Sequence, residues 1–256
     1  MRTVRAARYV LPLKEGGSVP ALVEGDDLGL YIVKLRGAAQ GKKALVAELV
    51  AGELARAAGL DVPEIVLVDV DRALAASEPD PEIAEPLEKS AGLNAGLDYL
   101  PGSITFDPVA GLAPDAATAS RIVLFDALVM NVDRTARNTN LLSWHKRLWL
   151  IDHGAALYFH HGWPVADPLD SSSDPFAEVR DHVLLRRATE LDAAARALAS
   201  AITPEVIERV VDDLPADWLG ERDGDAASQR DLYRQWLRAR VTQLPAIVEE
   251  ARRARA

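Results

Sequence analysis

The chain has 256 residues, 49% of them apolar and 27% charged, an ordinary globular composition that excludes a disordered, collagen-like or low-complexity polymer. Acidic residues outnumber basic ones 39 to 29, for a formal charge of -10, so long-range attraction to nucleic-acid phosphates or anionic lipid is disfavoured and nucleic acid is an unfavoured partner. There is no cysteine, which excludes disulfides and thiolate metal sites and fits a reducing compartment.

The N-terminal segment carries arginines, but its apolar run is too short for a signal peptide, and no uninterrupted apolar run approaches the roughly 18 residues of a membrane span. A cytoplasmic protein is expected. The first 30 residues read as strands and turns: an apolar run at 8–12, a turn containing Gly16, Gly17 and Ser18, a short run at 21–23, and a turn at Gly25, Asp26 and Asp27. Residues 31–36 then read as a strand, with Tyr31, Val33 and Leu35 on one face and Ile32, Lys34 and Arg36 on the other.

Residues 44–58 are rich in Ala, Leu and Glu and predict a helix stopped at Gly59. Its Glu53 has Arg56 three positions on, the usual surface pairing. Glu48 instead shares its face with Ala44, Leu45, Ala51, Gly52 and Ala55. A lone acid on a small, apolar helix face wants a partner from elsewhere, and Lys34 on the adjoining strand is the candidate, the alternative being that Glu48 and Lys34 are both solvated charges. A second strand is expected at 64–70 after Pro63, then a surface excursion at 78–88 containing Pro79, Pro81 and Pro86. Residues 93–100, followed by Pro101 and Gly102, mark where strand-like sequence gives way to helical sequence.

Ser120 reads as the cap of a helix with Ile122, Val123, Phe125, Leu128 and Val129 as its apolar face, ending by Asn131. Residues 158–175 read as loop, and helices are expected at 183–198, 204–214 and 232–248, with Pro204 in a first turn and Pro245 at a kink or restart.

The chemistry concentrates between Asn131 and Gly154. Two short apolar runs, 140–144 and 148–152, flank His145, Lys146 and Arg147, and predict an antiparallel hairpin. A turn centred on Lys146 places Asn140 opposite Asp152, with Asn138 just beyond and Asp133 in the loop leading in. Hard oxygen donors converging at one point suit Mg2+, which takes one or two protein ligands plus waters and substrate phosphates. Asp133 followed five positions later by Asn138 is also the spacing of a kinase catalytic loop. The upstream order of Lys34 on a strand and Glu48 on a helix strengthens that reading.

These residues resemble the HipA-like kinases, a branch of the protein-kinase-like fold, most sharply in Asn131-Val132-Asp133-Arg134 with Asn138 and in Leu150-Ile151-Asp152-His153-Gly154. The resemblance implies an α+β, two-lobed fold, with a β-rich N-lobe over 1–101 and a mainly helical C-lobe over 102–256 that holds the catalytic-loop hairpin. It further implies ATP and Mg2+ as cofactors, Asp133 as catalytic acid, and Asn138 and Asp152 as metal ligands. Lys34 would contact the nucleotide phosphates with Glu48 as its anchor. Gly16, Gly17 and Ser18 would form the phosphate-covering loop, and Leu97, Asp98, Tyr99 and Leu100 the adenine-contacting hinge.

The chain departs from ordinary protein kinases in having Asn131-Val132 before Asp133, His153 after Asp152, and no G-x-G-x-x-G loop. The activity implied is transfer of the γ-phosphoryl group of Mg-ATP to a hydroxyl acceptor, protein Ser/Thr or another. The rivals are a nucleotide-binding pseudokinase, disfavoured because Lys34, Asp133, Asn138 and Asp152 are all present, and a kinase-fold enzyme acting on a small molecule or lipid or transferring AMP. A histidine metal site has little support, since the five histidines, all between His145 and His182, form no H-E-x-x-H pattern. Arg134, Arg137, Lys42 and Lys43 either add positive potential near bound phosphates or remain solvated charges.

Overall fold

The computed structural model describes residues 1–13, 20–37, 41–76, 80–109, 113–162, 169–219 and 225–256. The turn expected at Gly16, Gly17 and Ser18 lies outside the described residues. Strands β1 (Thr3–Pro12), β2 (Ala21–Gly25), β3 (Leu30–Lys34), β4 (Ile65–Val70) and β5 (Gly92–Asp98) close into a barrel in the order β1-β2-β3-β5-β4. The β1–β4 pairing is parallel and the others are antiparallel.

Alternation sorts the barrel's side chains into two cores. Val4, Ala6, Val23, Tyr31, Val33, Val66 and Val68 belong to one buried cluster, the barrel interior. Ile65, Leu67, Ala95 and Leu97, one residue out of phase, join a larger cluster shared with the helices. This explains the almost wholly apolar sequence of β4, interrupted only by Asp69, since the strand is covered on both faces. With Tyr31 and Val33 turned inward, Lys34 faces outward, where helix α1 (Gly41–Ala57) packs.

α1 is buried along most of its length, from Ala44 to Ala55, and ends before Gly59, which adopts φ +71°. Helices α2 (Arg72–Ala76) and α3 (Pro81–Lys89) follow β4. The excursion expected at 78–88 is therefore largely helix. Pro81 sits at a first-turn position, where its missing N–H costs nothing, and buried Leu87 ties the helix to the barrel core despite Pro86 inside it.

Beyond β5 and a turn at Gly102, the short strand β6 (Ile104–Thr105) pairs with β7 (Leu141–Trp144), and β7 pairs with β8 (Arg147–Leu150). Between β6 and β7 lies α4 (Ala116–Leu128), buried from Ala119 onward. Its cap is Asp115, whose side chain accepts from Thr118 N at 2.7 Å, not Ser120. Ser120 lies inside the helix, fully buried, and its Oγ accepts from Glu190 N at 2.9 Å.

The helix expected at 183–198 divides into a 3-10 turn at Leu185–Arg187 and α5 (Leu191–Ala201). After it come α6 (Pro204–Asp212), with Pro204 in its first turn, α7 (Ala226–Thr242) and α8 (Leu244–Arg255), where Pro245 permits the restart. Arg240 on α7 is fully buried and donates to the carbonyls of Ala127 and Leu128 at 2.7 and 3.0 Å, closing the end of α4. Among the described residues no helix is long and apolar enough to cross a membrane.

The barrel interior leaves no room at Gly96, where an added Cβ would lie 2.5 Å from Val68 Cγ2 and 3.2 Å from Val66 Cγ2. Gly96→Ala is expected to lower the unfolding free energy by about 1–3 kcal/mol through overpacking, although the same exchange at an open site stabilises. Urea denaturation measures the change, and a gain in stability would contradict this packing.

Candidate active site

Two polar clusters meet at the hairpin β7–β8. The first is built around Lys34, at the end of β3. Its Nζ lies 2.5 Å from Glu48 Oε2 on α1 and 2.5 Å from Asp152 Oδ1 just beyond β8. The Glu48 side chain is fully buried and that of Lys34 9% exposed, whereas the Asp152 side chain keeps 40% of its surface open. Burial alone would raise the Glu48 pKa, but the charge of Lys34 and the contact with His153 overcome it and bring it down to about 2. Burial likewise works against the Lys34 ammonium, and the two carboxylates outweigh it, so its pKa is raised. One ammonium against two carboxylates leaves an excess negative charge at the open side of the cluster.

The second cluster holds the loop from Asn131 to Asn140. Asn138 Nδ2 donates to Asp133 Oδ2 at 2.8 Å, and Asn140 Nδ2 lies 3.3 Å from the same oxygen. Asn131 Oδ1 accepts from Asp133 N at 3.2 Å. Behind the loop, Arg134 is buried and its Nε lies 2.6 Å from Asp126 Oδ2 on α4. The Arg134 Nη1 donates to the carbonyls of Asn140 and Ile151, the residues that bracket the open end of the hairpin. Asp126 also accepts from Asn131 Nδ2 and His182 Nε2, each at 2.9 Å. Because His182 Nδ1 accepts from Leu184 N at 3.0 Å, the Nε2 carries the ring proton. Burial alone would raise the Asp126 pKa, and the Arg134 charge with the His182 hydrogen bond holds it well below the usual carboxylate range.

The hairpin turns on His145 and Lys146, both with positive φ (48° and 62°), so Arg147 pairs with Trp144. This is a two-residue turn and not one centred on Lys146, because a turn with both central residues left-handed matches the strand twist. Asn140 therefore lies opposite Ile151, whose N donates to Asn140 O at 3.1 Å, and not opposite Asp152. Asn140 and Asp152 both adopt positive φ (47° and 55°), a conformation their side chains tolerate better than most. At the open end the Asn140 side chain reaches Asp133 and that of Asp152 reaches Lys34.

Lys34, Asn138 and Asp152 line one cleft of about 1050 Å3, together with Leu97, Asp98, Tyr99 and Leu100 at the end of β5. Asp133 joins them through its bonds to Asn138 and Asn140, which also line the cleft, and Glu48 through Lys34. The four basic side chains near the motif separate. Arg134 is spent on Asp126, and Lys43 donates to His160 O at 2.5 Å. Lys42 sits in the first turn of α1, and Arg137 is exposed and lines the cleft. His160 is a packing element, fully buried with Nδ1 3.1 Å from Tyr233 Oη.

Asp126, His182 and the anchoring role of Arg134 escape sequence reading. For Asp126 a signal existed: its helical neighbours Ile122, Val123, Val129 and Met130 are all apolar, the same isolation that marks Glu48.

A family model described as HipA-like kinase matches residues 8–244. Among solved structures, the crystal structure of the Helicobacter pylori proinflammatory kinase CtkA aligns with a TM-score of 0.58 at 14% identity, covering 98% of this chain and 97% of that one. The likeness at that identity is one of fold. Comparison with curated protein sequences gives no match.

Two outcomes are expected from this geometry. Arg134→Met strands a buried carboxylate, and chemical denaturation should register a loss of about 3–5 kcal/mol; a loss below about 1 kcal/mol would show that Asp126 does not depend on it. For Glu48, whose pKa is depressed in the folded chain, the stabilisation is present above about 4.5 and fades as pH falls toward about 2. The stability difference between the parent and Glu48→Gln should therefore shrink as urea denaturation is repeated at falling pH through that window, and a constant difference would contradict the buried ion pair.

Proposed function

The chain belongs to the HipA-like kinase family, the model matching residues 8–244, and from this we propose that it is a two-lobed Mg-ATP-dependent phosphotransferase acting on a hydroxyl acceptor. The N-lobe, 1–101, holds the nucleotide and the C-lobe, 102–256, supplies the catalytic loop. The observation that carries the reading is the convergence of Lys34, Asn138 and Asp152 on one cleft, with Asp133 hydrogen-bonded to Asn138.

The donor set fits magnesium. Asn138 gives its amide N–H to Asp133, which leaves its carbonyl oxygen as a hard ligand, and Asp152 gives one oxygen to Lys34 and keeps an open flank. Among the described residues no group of three or more His, Asp or Glu side chains forms a metal cluster. Two protein oxygens, completed by waters and substrate phosphates, are what this ion ordinarily takes. When bound, it supplies charge neutralisation between the phosphates.

Lys34 is held by Glu48 and presents a fixed positive charge to the phosphates. Leu97, Asp98, Tyr99 and Leu100 border the base. Asp133 has one carboxylate oxygen oriented by two amides, which suits it to align the acceptor hydroxyl and accept its proton late in transfer. Catalysis is then mainly positioning and electrostatic stabilisation. A protein Ser or Thr hydroxyl is the acceptor class the reading favours.

The test is phosphate transfer from radiolabelled ATP to a panel of protein and small-molecule hydroxyls, with ATP binding measured alongside. Asp133→Asn is expected to lower turnover by about 100-fold or more while binding persists. Lys34→Met is expected to weaken both with the fold retained. Turnover undiminished in either variant would remove its assigned role, and transfer of AMP in place of phosphate would replace the reaction.

A further inference from the structure

Asp152 and His153 are consecutive in the chain, yet they grip opposite members of one ion pair. Asp152 Oδ1 accepts from Lys34 Nζ at 2.5 Å, whereas His153 Nδ1 lies 3.4 Å from Glu48 Oε1. Lys34 and Glu48 are themselves joined at 2.5 Å through the other Glu48 oxygen. The four side chains thus make a ring, closed by the peptide bond between residues 152 and 153.

His153 is not there for packing alone. It is fully buried, and its Nε2 has no hydrogen-bond partner. A carboxylate facing Nδ1 makes that nitrogen the donor, and Nε2 is left without a partner inside the protein. A purely apolar ring in this place would avoid that cost.

The two arms of the ring are unequal. The Asp152 side chain is 40% exposed and faces the cleft, so its carboxylate is the one that a divalent cation can claim, and a cation on it competes with Lys34. The His153–Glu48 arm is fully buried and out of reach of any ligand.

We propose that His153 is a positioning residue that keeps α1 and the Lys34–Glu48 pair registered to the Asp152 loop when the carboxylate of Asp152 is shared between Lys34 and the metal-nucleotide complex. The proposal rests on the kinase reading above. In the absence of metal both arms hold and the loss of one is tolerated. With metal drawing on Asp152, its hold on Lys34 weakens and the histidine arm carries the registration.

Calorimetric titration of ATP, with Mg2+ and with EDTA, on the parent, His153→Phe, His153→Met and His153→Gln separates the possibilities. The Phe and Met variants lack the donor and are expected to bind Mg-ATP about tenfold more weakly than the parent, about 1.4 kcal/mol, with metal-free ATP binding unchanged. The Gln variant keeps an N–H donor and should recover most of the loss. Should the Phe variant not fold, the Met and Gln variants carry the comparison. Equal Mg-ATP affinity in all variants, an equal loss with and without metal, or no recovery in Gln overturns the role of His153 and leaves the kinase reading standing. A parent that does not bind Mg-ATP overturns the kinase reading itself, and this role with it.

Discussion

The ammonium of Lys34 is the point on which the site depends, because it is shared between a helix and a loop, which the contact of His153 with Glu48 joins a second time. Strand β3 delivers it outward from the barrel, α1 meets it with Glu48, and the chain leaving β8 meets it with Asp152. Burial works against the charges of Lys34 and Glu48, and their attraction to each other outweighs it. The excess of carboxylate over ammonium faces the open cleft. The barrel's role is to fix the phase of β3, since a slip of one residue would turn Lys34 into the apolar interior and put Tyr31 and Val33 outside it.

A second guanidinium-centred hub does for the loop what Lys34 does for the helix. Arg134 binds Asp126 on α4 and the carbonyls on both sides of the hairpin's open end, while His182 and Asn131 complete the coordination of Asp126. Residues before and after the hairpin are thereby held by one side chain, so that Asn138, Asn140 and Asp152 are placed relative to the same buried helix. The segment at His182 is strapped to the loop as well, by the bridge between Thr135 and His182 and by Val183 N donating to Arg134 O at 3.1 Å. Charged groups at this depth add little stability over apolar packing, but removing one partner is severe, and that asymmetry makes such a hub a rigid anchor.

Much of this was legible because it had a local signature. Period-two alternation in β3 marked which face Lys34 takes, and the isolation of Glu48 among small apolar neighbours marked a partner from elsewhere. Asp126 carried the same isolation, but its partners lie 5, 8 and 56 positions away, none at a helical spacing that would announce it. The hairpin was legible and its register was not, since a two-residue turn with His145 and Lys146 left-handed cannot be told from a three-residue one by composition. α3 was hidden by its prolines, of which Pro81 suits a helix start and Pro86 is outweighed by the burial of Leu87. Asp115 displaced Ser120 as a cap because the helix begins a turn earlier than its apolar face suggests.

The account is tested most directly by a crystal structure of the protein with Mg2+ and a non-hydrolysable ATP analogue. It predicts the base beside Leu97, Asp98, Tyr99 and Leu100, the phosphates against Lys34, and the metal held by Asn138 and Asp152 with Asp133 turned to the open end of the phosphate chain. A nucleotide seated elsewhere, or a metal bound without Asn138 and Asp152, would contradict it.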